Sequence, residues 1–270
     1  FDRPEIKAAR ESYEKAVQMY PPDVGKRVSR RERDEIDAKD ANFAYGEVSF
    51  EALAAVITKI KEKLGKPSEG SSPPERGILQ SGEQEDDSLG EDGVEKCYGC
   101  FIDLGSGMGK ALIAASTLHL FESVSGIELL EGLYNTSVEV TDKYKASAQP
   151  PSAIEVHHGD LLEPEVADWA AADIVLCNCA CFPAEMMGAI STLSEPMKVG
   201  AFFVTVSIEF RSEHFTLVDQ ASAQMSWGEA TVFIYQRNVV EESSLEGEGL
   251  EDEEDDSEAE EKDEDDDEYR

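Results

Sequence analysis

The chain has 270 residues and carries 24 Lys+Arg against 59 Asp+Glu, a formal net charge of −35. Residues 241–270 alone contribute −17 and residues 66–96 contribute −6, which leaves −12 for just over 200 residues, enough for one well-buried core. No run of about 18 apolar residues is present, so no membrane-spanning helix is expected. The opening FDRPEIKAAR lacks the apolar stretch of a signal sequence, and five cysteines in so long a chain argue for a reducing compartment rather than a disulfide framework.

In chain order, residues 1–44 read as a charged helical segment in which ten acids balance ten bases over the first forty positions. Ile6, Ala9, Tyr13, Ala16, Val17 and Tyr20 recur at helical spacing, and Pro21-Pro22 ends that helix. A basic knot follows at Lys26, Arg27, Arg30, Arg31 and Arg33, a candidate for weak nucleic-acid contact. Residues 45–240 read as one catalytic domain. It begins with an amphipathic helix over 49–64, with Leu53, Val56, Ile57, Ile60 and Leu64 on one face and Ser49 as its N-cap. Residues 66–96 are polar, acidic and rich in Gly, Ser and Pro, the composition of a disordered insertion, and 241–270 read as a disordered acidic tail.

Between those segments the pattern alternates. Strands are predicted at Cys100–Leu104, Val124–Glu128, Ile154–His158, Asp173–Cys177, Ala201–Ser207 and Thr231–Gln236, and helices at Lys110–Leu120, Leu130–Lys145 and Ala184–Leu193. Strand-helix alternation of this kind indicates an α/β fold with a mostly parallel sheet and helices on both faces. Cys97, Cys100, Cys177, Cys179 and Cys181 read as ordinary buried thiols rather than metal ligands.

The first strand runs into Asp103-Leu-Gly105-Ser-Gly107-Met-Gly109 and then a helix. Open α/β sheets bind ligands at the carboxyl ends of their strands, and glycines there admit a ligand close to the backbone. The second strand ends in Glu128, a carboxylate able to accept both hydroxyls of a ribose, and the third is followed by Gly159-Asp160-Leu161, an acid and an apolar neighbour suited to the edge and face of an adenine. A dinucleotide turn wants a third Gly or Ala where Lys110 stands, and a P-loop wants Ser or Thr where Ala111 stands. Asp103 suits a cationic group better than a pyrophosphate. These features together favour S-adenosyl-L-methionine over a dinucleotide.

The turn with its later acid resembles the class I methyltransferases, whose fold is Rossmann-like. More narrowly, Tyr45-Gly46-Glu47-Val48-Ser49-Phe50 before a helix, Phe101 through Gly109, Gly126-Ile127-Glu128, Gly159-Asp160-Leu161-Leu162, Asn178-Cys179-Ala180-Cys181 and Ser226-Trp227 resemble the motifs of the disruptor-of-telomeric-silencing histone methyltransferases over about 45–237. The resemblance implies methyl transfer from S-adenosyl-L-methionine to a lysine in the core of histone H3, on the nucleosome and in the nucleus rather than the cytoplasm. It implies a donor site built from Tyr45, Gly46, Glu47, Val48, Phe101, Asp103, Gly105, Ser106, Gly107, Gly109, Lys110, Glu128, Asp160, Leu161 and Asn178. Tyr45, Asn178, Phe182 and Trp227 become the expected walls of a lysine channel. Cys179 and Cys181 stand where the family carries aromatics, and the tail is opposite in sign to the basic segments that hold DNA. Two other readings remain: a class I methyltransferase for a non-histone protein or small molecule, and a non-catalytic histone-binding module.

Overall fold

The structure is a computed structural model that describes residues 3–35, 44–64, 99–119, 121–150 and 152–239. The expected insertion at 66–96 and the acidic tail at 241–270 lie outside the described residues.

Seven strands form one sheet: β1 (Cys100–Leu104), β2 (Ser123–Glu128), β3 (Ala153–His158), β4 (Ile174–Cys177), β5 (Phe202–Val206), β6 (Phe215–Met225) and β7 (Gly228–Arg237). Their spatial order is β3-β2-β1-β4-β5-β7-β6. The first five are mutually parallel, and β7 runs antiparallel between β5 and β6. Of the five interior strands, β1, β4, β5 and β7 are Val-, Ile-, Leu- and Phe-rich because both of their faces are covered, so no solvated face calls for polar alternation.

Alternation along each strand splits the core into two layers. On one face Phe101, Val124, Ile154, Leu176, Phe202 and Val204 pack under α1 (Pro4–Val17), α3 (Phe50–Leu64), α4 (Lys110–Leu118) and α5 (Glu131–Ala148). On the other, Ile102, Ile127, Val175, Phe203 and Tyr235 pack under α6 (Ala184–Ser194) and the short 3-10 turn at Trp169–Ala171. Phe203 stacks on Phe210 at 4.3 Å between centroids and meets Phe215 edge-on at 6.0 Å, an aromatic cluster that anchors the far half of the sheet. Among the described residues no helix is long and apolar enough to cross a membrane.

Two elements were not expected. The basic knot is a helix, α2 (Pro22–Glu35). Pro22 opens it, since a proline at the first helical position loses only an N–H that has no partner anyway. The strand β6 pairs with β7 through a two-residue turn at Ser226-Trp227. Its Asp, Gln, Ser and Ala content hides it, because an edge strand half in water has little need of apolar side chains. Elsewhere boundaries shift by one to three residues, and Ser49 caps α3 as expected, its Oγ accepting the N–H of Ala52 at 3.1 Å.

Candidate active site

The carboxyl ends of β1, β2 and β4 open into a cavity of about 520 Å³. Its floor is the turn after β1. Gly105, Gly107 and Gly109 there have φ of +79°, +55° and +70°, values that L side chains rarely adopt, so the glycines are dictated by the backbone path. A Cβ on Gly105 would meet nothing within 4 Å except the tip of the Phe182 ring at 3.7 Å, so this position faces open cavity.

Glu128 ties the turn to the second strand. One carboxylate oxygen accepts the N–H of Gly107 at 2.8 Å and the other that of Leu130 at 2.9 Å. Each oxygen keeps a second acceptor site, so the carboxylate can still take ribose hydroxyls while it braces the loop. Burial raises its pKa, and the two backbone donors work against that rise. Asp160 accepts the N–H of Leu162 through Oδ1, and Leu161 is fixed by its carbonyl accepting Trp169 Nε1–H at 2.8 Å.

Residues 44–48 form the roof. Asn178 Nδ2 donates to the Gly46 carbonyl at 3.2 Å, Glu47 N–H donates to Ser226 Oγ at 2.8 Å, and Ser226 N–H donates back to the Glu47 carbonyl at 3.1 Å. The Trp227 ring covers Gly46 so closely that a Cβ there would lie 2.5 Å from it. Tyr45 sits between Gly25 of α2 and Gly107 of the turn, and its hydroxyl donates to Glu47 Oε1 at 2.6 Å. Burial first, and the Glu47 charge second, push the Tyr45 phenol far above its ordinary range. The helix α2 is clamped onto the same end of the molecule, because Glu32 accepts the N–H groups of Glu131 and Gly132 at 2.6 and 2.7 Å and so caps α5.

Nearly every residue expected at the site lines the cavity: Tyr45, Gly46, Glu47, Val48, Asp103, Gly105, Ser106, Gly107, Lys110, Glu128, Asp160, Leu161, Asn178, Phe182 and Trp227. Two do not. Phe101 is fully buried and packs on Phe121 at 5.6 Å. It lies two residues before Asp103 on the same face, hence about 6–7 Å down the strand from the site. Gly109 caps α4 and turns toward α5, where a Cβ would sit 3.2 Å from Ser137. Sequence reasoning also missed Leu130, Leu133, Pro183 and Met186, apolar wall residues that sit on or beside the ends of α5 and α6. Cys177 and Cys179 are fully buried and their thiols lie against each other, whereas Cys181 is half-buried and lines the cavity instead of the core.

The lining holds four carboxylates, Glu47, Asp103, Glu128 and Asp160, against one cation, Lys110. Asp103 Oδ1, Ser106 Oγ and Asn178 Oδ1 are buried there without a hydrogen-bond partner. A buried acceptor without a donor is costly, so these atoms mark where a ligand supplies donors. Burial and then the charge of Glu128 raise Asp103 to about 7. A ligand with an ammonium, a sulfonium, a ribose and an adenine fits this set.

A family model described as "Histone methylation protein DOT1" matches residues 95–239, just over half of the chain. The chain belongs to the DOT1 histone methylation family. With its strand order, this gives the chain the fold of the class I S-adenosylmethionine-dependent methyltransferases, and S-adenosylmethionine is the cofactor that the cavity fits. No protein with a curated description matches the chain. Solved structures with a similar arrangement include the Bacillus subtilis m1A22 tRNA methyltransferase TrmK, 14% identical over 52% of this chain and 60% of that one with a TM-score of 0.41. The magnesium protoporphyrin IX methyltransferase of Synechocystis PCC 6803 with bound SAM is 15% identical over 51% and 69%, TM-score 0.40. An O-methyltransferase from Bacillus cereus in complex with SAH is 11% identical over 52% and 74%, TM-score 0.41. The DOT1-family chain thus spans about 60% of the tRNA enzyme's length.

Proposed function

We propose that this DOT1-family protein methylates the side-chain amine of a lysine in the core of histone H3, on the nucleosome and in the nucleus. The observation that carries the proposal is the family match together with a cavity lined both by carboxylates suited to a cation and by Tyr45, Asn178, Phe182 and Trp227.

S-adenosylmethionine supplies an electrophilic methyl, and the chain's task is to align and dehydrate its acceptor. Lysine has an ordinary pKa near 10.4, so at pH 7 only about one amine in a few thousand is neutral, a cost of roughly 4–5 kcal/mol. The aromatic walls Phe182 and Trp227 disfavour the charged form and so lower that cost. Tyr45 is no base for this step: its hydroxyl donates a hydrogen bond to Glu47, and its phenol is held far above the ordinary range, so it keeps its proton. The amine therefore sheds its proton before or during its passage down the channel.

The exposed cations Lys26, Arg27 and Arg30 of α2, which have no ion-pair partner among the described residues, support contact with the phosphates of nucleosomal DNA. Arg31 is paired with Glu35 at 2.9 Å, and Arg33 is turned toward the Ser29 carbonyl, so these two contribute less. Incubation with labelled donor and nucleosomes, free histones or cell extract tests the proposal. Label on H3 in nucleosomes is expected. Label confined to a non-histone acceptor points to the second reading, and no label anywhere, with histone binding that depends on residues 241–270, points to the third.

A further inference from the structure

Helix α2 carries Gly25, Val28, Ser29 and Glu32 at the spacing of one helical face, and that face meets the walls of the cavity at two places. At Gly25 it lies against the Tyr45 ring of the roof, so closely that a Cβ there would collide with the ring. Two turns later Glu32 reaches the start of α5. The N-cap residue of α5 is Leu130, whose side chain has no acceptor and makes no cap hydrogen bond. Glu32 supplies what Leu130 lacks: the N–H groups of Glu131 and Gly132 donate to its two oxygens at 2.6 and 2.7 Å. The positive end of the helix favours a carboxylate there as well. The fit is close. A Cβ on Gly132 would lie 2.8 Å from Val28 Cγ1 and 2.9 Å from Glu32 Oε2, so even a methyl group at this position displaces the acceptor.

The turn capped in this way is the one that holds Glu128. Leu130 N–H donates to Glu128 Oε1 at 2.9 Å, and the Leu130 carbonyl accepts Tyr134 N–H at 2.9 Å as the first bond of α5. Leu130 and Leu133 are buried and line the cavity. A slack first turn of α5 therefore shifts the donor to Glu128 and the apolar wall beside it. Burial first raises the Glu128 pKa, and the charge of Glu32 adds to that rise, so the two carboxylates lie within electrostatic range of each other.

We propose that Glu32 is a positioning residue of the donor site: by capping α5 it fixes the turn from Glu128 to Leu133, and with it the geometry in which Glu128 takes the ribose hydroxyls. The inference rests on the reading that the donor occupies this cavity. Glu32 is not part of the cavity lining and acts only through Glu131 and Gly132. Its loss therefore falls most heavily on ribose recognition, and the same loss follows from any change that pushes Glu32 off the helix end.

The full chain is titrated with S-adenosylhomocysteine and with its analogue whose ribose lacks both hydroxyls. The readout is the ratio of the two affinities, which favours S-adenosylhomocysteine in the wild-type chain. Glu32→Ala is expected to lower that ratio by about threefold to tenfold, part of the worth of a hydrogen bond to a charged group, with a smaller loss for the analogue. Glu32→Gln keeps an acceptor oxygen at the helix end and is expected to retain more of the ratio than Glu32→Ala. Gly132→Ala is expected to lower the ratio as Glu32→Ala does, although alanine is the better helix former. It leaves Glu32 in the chain and tests the same contact if Glu32→Ala does not fold. Equal loss of both ligands, an unaltered ratio in Glu32→Ala or Gly132→Ala, or a ratio that falls as far in Glu32→Gln as in Glu32→Ala overturns the inference. Equal affinity of the wild-type chain for the two ligands overturns the ribose role of Glu128 and the inference with it. Binding of neither ligand by the wild-type chain overturns the donor reading itself, a separate result from a failed ratio.

Discussion

Donor affinity in this protein is expected to depend on pH through Asp103. Its carboxyl is 5% exposed, Oδ1 has no partner, and its pKa is raised to about 7, first by burial and then by Glu128. Only the ionised form offers an ammonium a charge to pair with. At pH 5 about one molecule in a hundred carries Asp103 ionised, so apparent affinity is expected to be about a hundredfold weaker than above pH 7, improving roughly tenfold per unit on the way. Equilibrium dialysis of labelled S-adenosylhomocysteine between pH 5 and 7.5 reads this directly. Asp103→Asn is expected to bind weakly at every pH with no slope. A flat wild-type profile, or a slope that survives in Asp103→Asn, refutes the reasoning. The same carboxyl acts on stability with a fixed sign. Its folded pKa lies above the ordinary value of 3.8, so the folded state binds the extra proton, and stability is lost as pH rises from about 4 through about 7. Three pKa units set an upper bound of roughly 4 kcal/mol. Without ligand, Asp103→Asn is therefore expected to melt above wild type at pH 7 and to lose that advantage near pH 4.

Gly105→Arg is expected to abolish donor binding while the fold survives, because the position faces open cavity and φ of +79° adds only about 1–3 kcal/mol of strain; a dichroism melt beside a binding titration checks it. With the Tyr45 phenol held far above its ordinary range and so protonated, log kcat/KM for the proposed transfer is expected to rise with unit slope between pH 7 and 9; a plateau near pH 7 reveals a base within the enzyme. Charge reversal of Lys26, Arg27 and Arg30 to Glu is expected to weaken nucleosome binding and flatten its salt dependence by a slope of about three, without altering S-adenosylhomocysteine affinity, as filter binding at several salt concentrations can read.

The sheet was legible because its interior strands are short apolar runs bounded by Gly, Pro and Asp, and because the one turn with three glycines admits few alternatives. The donor-side acids were legible for the same reason: Asp103, Glu128 and Asp160 each follow a recognisable strand, so topology alone brings them together. Helix α2 was hidden by its charge, since its buried contacts are made by Gly25 and Ser29 rather than by an apolar stripe. Strand β6 was hidden by its polar edge position. Least legible were the pairings between distant positions: Lys110 with Glu47, Glu32 with the start of α5, and Ser226 with Glu47. Each involves common polar residues whose local pattern says nothing of a partner 63, 99 or 179 positions away. Phe101 belongs to the motif that carries the resemblance, yet the strand rise sets it two residues below the cavity.

In the proposed site the ends of β1, β2 and β4 hold a sulfonium donor against Asp103 and Glu128. Calorimetric titration of S-adenosylhomocysteine into the folded 270-residue chain at pH 7.5 tests it. Saturable heat at one site per chain, lost in Gly105→Arg, is the expected result; no heat from protein that melts cooperatively contradicts the account.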